Sequence, residues 1–87
     1  MENFAEELES LRNRAIAFIK REVKNLKSPK RVMCGSSRLI AIFPEEQEVV
    51  YANSRGEATV SLKEFLEEDL ECITVERACI IADGLRG

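Results

Sequence analysis

An α+β fold follows from three features of this chain. Apolar residues recur every three to four positions over 3–28, short β-branched runs cut by turn residues fill 31–62, and a helical spacing returns after Ser61. A long N-terminal amphipathic helix, a small antiparallel meander of three to four strands, and two short C-terminal helices satisfy all three. At 87 residues, a single domain spanning 1–87 is expected.

The first helix rests on Phe4, Leu8, Leu11, Ala15, Ile19, Val23 and Leu26, which share one face. Ile16 and Phe18 widen the stripe, Asn3 with Glu6 reads as a capping box, and Ser28-Pro29 closes the segment, so the expected helix is 3–28. That is long for a small sheet, and part of the stripe is expected to overhang it. Strands are expected at about 31–34, 38–43, 48–52 and 57–60, separated by Gly35-Ser36-Ser37, Pro44–Gln47 and Asn53–Gly56. Loops this short imply antiparallel neighbours. Arg38–Phe43 is apolar on both faces, which predicts a central strand covered on each side. Ser61 and Glu64 form a second capping box opening a helix at about 62–70. Val75, Ala78, Cys79, Ala82 and Leu85 predict a final helix at about 75–84, with Thr74 before it and Gly84 as its terminal cap. Strands over 72–75 and 78–81 are the alternative for that last segment.

Apolar residues make up 45% and charged residues 33% of the chain, the balance of an ordinary globular protein. The longest apolar run, Leu39–Phe43, is far too short to span a membrane. Met1 is followed by a charged segment rather than a leader-like apolar one, so a cytoplasmic location without membrane association is expected. The three cysteines, 34, 72 and 79, include no CxxC pair, and reduced thiols agree with that location. With no histidine and only three scattered cysteines, neither a structural zinc site nor any cofactor is expected. The acidic run Glu67–Glu71 lacks the glycine and ligand spacing of an EF-hand loop and reads as a solvated face.

Charge is unevenly distributed. Residues 10–31 hold eight bases against one acid, a surplus of +7, whereas 45–76 hold ten acids against two bases, a surplus of −8. Helix 1 starts with Glu2, Glu6, Glu7 and Glu9 and ends basic, as its dipole favours. Lys20, Arg21, Lys24, Lys27, Lys30 and Arg31 are the candidate polyanion-binding residues. No aromatic side chain lies among them to stack on bases.

Enzyme chemistry is not expected, and no catalytic residue is assigned. Without histidine the commonest general base near neutral pH is missing, and Ser-His-Asp or Cys-His sites cannot assemble within one chain. Cys34, at a turn between Arg31 and Arg38, is the best nucleophile candidate, set against a plainer place facing the core. The order helix, three-strand meander, helix resembles the outline of the restriction-endonuclease-like nuclease core. That resemblance implies an aspartate on the second strand and an Asp/Glu-x-Lys triplet on the third. Arg38–Phe43 has no acid, Glu48-Val49-Val50 lacks the lysine, and Glu22-Val23-Lys24 falls in the first helix. An active nuclease is therefore rejected.

These readings favour a small non-catalytic interaction module: a regulator, adaptor or accessory subunit. Self-association through Phe4, Leu8, Leu11, Phe18 and Ile19 of helix 1 is the expected contact. A nucleic-acid-binding module using segment 20–31 is the alternative.

Overall fold

The structure, a computed structural model, describes residues 3–87. Glu2, counted above with the acidic start of the first helix, lies outside the described residues. Helix α1 (Phe4–Asn25) leads into strands β1 (Lys30–Met33), β2 (Leu39–Phe43), β3 (Glu48–Asn53) and β4 (Gly56–Ser61). A short helix α2 (Leu62–Glu64) runs directly into a π-helical turn (Phe65–Asp69), and helix α3 (Val75–Arg86) completes the chain. The strands pair in sequence order, each antiparallel to its neighbour, which is the expected meander in an α+β fold.

Local chemistry explains the boundaries. Asn3, Ser61 and Thr74 each accept a hydrogen bond from the amide three residues on, at 3.2, 3.0 and 3.2 Å, satisfying donors a helix start leaves without partners. α1 stops at Asn25, three residues before the expected end. Leu26 is extended and its amide bonds to the Val23 carbonyl at 3.3 Å. Leu26 still packs against the core, but from the connection rather than the helix. Gly56, at φ 144°, sits in a backbone region that suits glycine and closes the tight β3–β4 hairpin.

The π turn departs from the single helix expected over 62–70. The Leu70 amide reaches back five residues to the Phe65 carbonyl, at 3.1 Å. That wider turn lets Leu70 point fully into the core while Asp69 reaches the Tyr51 hydroxyl on β3. Arg12 of α1 then secures the chain beyond the turn. Its guanidinium donates to the carbonyl of Ile73, at 2.7 Å, and to those of Leu70 and Glu71.

One core joins the helices to the sheet. Ile19 and Val23 of α1, Phe65 and Leu70, and Ala78 and Ile81 of α3 meet Val32, Ile40, Ile42 and Val49. The cross-strand row Val32–Ile40–Tyr51 and the row Ile42–Val49–Val60 form the covered face. Successive strand residues alternate between faces, so Leu39, Ala41 and Phe43 face the other way, and none of them joins that core. The expectation that β2 is covered on both sides is thus corrected: the helices gather on one face only. Ala41 is buried on the outer face because it is small and flanked across the strands by Arg31 and Val50.

Gly84 is also corrected, since it lies within α3 rather than capping it. A Cβ there would overlap the Val32 side chain. Its missing side chain is what lets α3 lie directly on β1.

Candidate interaction surfaces and a polar cleft

The five residues expected to mediate contact through α1 do not remain together on the surface. Ile19 is fully buried and offers nothing to a partner, which corrects its assignment. Phe18 is half-buried, with the Arg86 and Arg21 guanidinia 4.6 and 5.5 Å from its ring centroid. Phe4 and Leu11 are 67% and 42% exposed, and Leu8 is half-buried. The first buried residue of α1 is Ala15, so the earlier turns overhang the core as the helix length predicts.

The outer face of the sheet is a second, broader apolar surface. Its cross-strand rows are Arg31–Ala41–Val50–Thr59, Met33–Leu39–Ala52–Glu57 and Phe43–Glu48–Ser61. Met33 is 55% exposed, while Leu39, Phe43, Val50 and Ala52 are each partly exposed. Base and acid sit at opposite margins of this face: Arg31 on β1 and Glu57 on β4. The sequence announced this surface in the two-sided apolar pattern of β2. Its lack of a covering layer was not readable there.

The six candidate polyanion-binding residues are spread over different surroundings. Lys20 pairs with Glu71 at 3.4 Å, and with Lys24 it lines a groove of about 570 Å3 that also holds Lys63 and Glu67. Arg21 lies over Phe18. Lys27, beyond the helix end, is exposed. Lys30 pairs with Ile42 on the helix-covered side of β1, and Arg31 pairs with Ala41 on the outer side.

A polar cleft occupies the end of the sheet nearest the start of α3. One lobe, about 400 Å3, lies among Tyr51, Phe65, Asp69, Ile73, Arg77 and Ile81. The adjoining lobe, about 320 Å3, shares Ile40, Tyr51 and Arg77 with it and adds Cys34, Arg38 and Asn53. The Tyr51 hydroxyl donates to Asp69 Oδ2 at 2.6 Å. Burial, then that bond and the charge of Asp69, push the Tyr51 phenol far above its ordinary range, so it stays protonated. Burial also raises the Cys34 thiol, against the opposing pull of Arg77 and Arg38. A raised thiol pKa disfavours the thiolate a nucleophile needs, and Cys34 packs against the core, as the plainer reading of it has it. The sequence puts Tyr51 within the strand expected at 48–52 and Asp69 in a solvated acidic run, and nothing local in it marks Arg77. The three meet only through the long-range fold.

Among the described residues no helix is long and apolar enough to cross a membrane. Among the same residues, no three histidine, cysteine or carboxylate side chains cluster to hold a metal ion. Comparison with known proteins finds no family model, no curated protein and no solved structure that matches this chain.

Proposed function

We propose that this protein is a small non-catalytic interaction module that pairs with a second copy of itself through the outer face of its sheet. The observation carrying this reading is that face: a contiguous apolar surface with no layer over it, on a sheet whose opposite side is packed. An uncovered sheet face with an apolar centre and a polar rim is the kind of surface that marks an interaction site. The charge layout favours a copy of the same chain as the occupant. A two-fold axis along the strands lays β1 of one copy over β4 of the other. Met33 then faces the partner's Glu57 and Arg31 the partner's Thr59, with Arg31 and Glu57 one cross-strand row apart, and every such contact occurs twice. Within α1, burial of Ile19 and cover over Phe18 leave a narrower apolar stripe than the sheet offers.

Four strands about 4.8 Å apart and five residues long give a face of about 300 Å2 in projection. That is about 600 Å2 over both partners, below the range of stable interfaces, so only a weak, concentration-dependent dimer is expected. Sedimentation velocity from about 10 μM to about 1 mM brackets that range. The mass should rise from 9.9 kDa toward twice that value, and Met33→Glu with Val50→Glu should hold it at the monomer without altering the circular dichroism. A single monomeric species throughout would overturn the pairing. Dissociation by Leu11→Asp but not by the sheet variants would return the contact to α1. The competing polyanion reading is weakened by the scatter of its basic residues. Salt-sensitive binding of labelled DNA or RNA, lost on charge reversal of Lys24 and Lys27, would restore it.

A further inference from the structure

We infer that the polar cleft is a binding site for a small organic carboxylate. The anionic head would lie between Arg38 and Arg77, and the apolar body against Ile73 and the ring of Tyr51.

Two arginines define the charged end of the site. They come from distant parts of the chain, Arg38 just before β2 and Arg77 in the first turn of α3, yet they line the same lobe. Both act on the Cys34 thiol, so the two guanidinia share one neighbourhood. Among the described residues, neither side chain makes an ion pair or a hydrogen bond, whereas Lys20 and Arg86 each have a carboxylate partner. Asp69 shares the larger lobe with Arg77, but among the described residues no carboxylate lines the lobe that holds both arginines, and an anion there would offset their repulsion. Guanidinium groups suit a carboxylate because their planar donors match its two oxygens.

The larger lobe supplies the other half of the site. Half-buried Ile73 and Tyr51 present apolar surface over a floor of buried Phe65 and Ile81, beside a few placed polar groups, which is the usual makeup of a small-ligand pocket. A space of about 400 Å3 with an adjoining 320 Å3 suits a single ring or short chain with its charged head. Of these residues only Phe65 belongs to the π turn, a rare geometry that recurs at functional sites. The turn holds Asp69 at the lobe with its position fixed by the Tyr51 hydroxyl. One oxygen of Asp69 accepts that bond and the other remains to take a donor on the ligand body. Leu39 and Ala52 of the smaller lobe also belong to the proposed pairing face, so the two surfaces meet at that margin, but the carboxylate site does not depend on the pairing.

Titration of the isotope-labelled full chain with benzoate, followed by amide chemical shifts, tests the assignment. Saturable shifts are expected at Tyr51, Asn53, Asp69, Ile73 and Arg77, with Kd on the order of 1 mM for so small a fragment. Arg77→Gln and Arg38→Gln should each weaken binding roughly tenfold or more, since each removes a charged donor. Arg86→Gln, an exposed arginine away from the cleft, should leave it unchanged. Both cleft arginines are exposed, so the variants should keep the wild-type amide spectrum elsewhere. Sulfate, which lacks the apolar body, and benzylamine, which reverses the charge, should bind far more weakly. Unsaturated or dispersed shifts, equal binding of either control, or indifference to both arginine variants would overturn the proposal.

Discussion

Replacing Gly84 by alanine sets two well-understood effects against each other. In the middle of a helix, alanine is favoured over glycine by about 1 kcal/mol, because glycine loses more backbone freedom on folding. Were Gly84 the terminal cap that its sequence position predicts, the substitution would cost about 1 kcal/mol by forcing alanine into a left-handed backbone, and Val32 would play no part in that cost. In the structure the new methyl would overlap Cγ1 of Val32 and lie 3.1 Å from Cγ2 and 3.2 Å from Cβ. Val32 is 2% exposed and sits in the core between α3 and the neighbouring strand. As a β-branched residue it has few rotamers in which to escape. Overpacking a core in this way costs about 1–3 kcal/mol, and more where neither backbone can move. A net destabilisation of about 1–2 kcal/mol remains after the gain in helix propensity.

Urea unfolding followed by far-ultraviolet circular dichroism measures this directly. For a domain of this size, a slope of about 1 kcal/mol per molar urea places the midpoint about 1–2 M below wild type. Val32→Ala provides the internal check. Alone it opens a cavity and destabilises, but combined with Gly84→Ala it makes room for the new methyl. The double variant should therefore be about as stable as Val32→Ala alone, a coupling of about 1–2 kcal/mol between the two sites. If Gly84→Ala matches or exceeds wild-type stability, or if the two changes simply add, the close approach of α3 to β1 is wrong.

Two other substitutions test contacts between distant segments. Arg12→Ala removes the donors to the carbonyls of Leu70, Glu71 and Ile73, and should cost about 1–2 kcal/mol in the same unfolding assay. Arg14→Ala, two residues on and exposed, should stay within about 0.5 kcal/mol of wild type. Tyr51→Phe should cost about 1 kcal/mol at neutral pH by leaving Asp69 without its donor. The Tyr51 phenol and Cys34 thiol are both raised in the folded protein, so the folded state keeps protons that the unfolded chain releases. Their stabilisation is full below the unfolded-chain values, about 8.5 for cysteine and about 10 for tyrosine, and is lost as pH rises past each. Thermal unfolding between pH 7 and 11 should show that decline, and Tyr51→Phe should remove the part beginning near pH 10. A decline unchanged in Tyr51→Phe would contradict the Tyr51–Asp69 contact.

Most secondary elements were legible in the chain because their signals lie within a few residues of one another, the π turn being the exception. The α1 stripe, the caps at Asn3, Ser61 and Thr74, the turns around Gly35 and Gly56, and the alternation in β2 all act locally. So the sequence was enough for an α+β architecture with a four-strand meander. What it could not convey was coverage. Phe4 and Ile19 belong to the same stripe, yet one is exposed and the other fully buried, because only part of α1 crosses the core. The same pattern makes Ile42 a core residue and leaves Phe43 on an open face.

The π turn depends on a hydroxyl 18 residues from Asp69, and the Arg12 bonds span 58 to 61 residues. Gly84 reads as a cap until Val32 is seen against it. Periodicity reports which side of an element is apolar, since that follows from the geometry of one segment. Which of those sides is covered, and which polar groups meet across the end of the sheet, is set by the free energy of packing segments far apart in the chain.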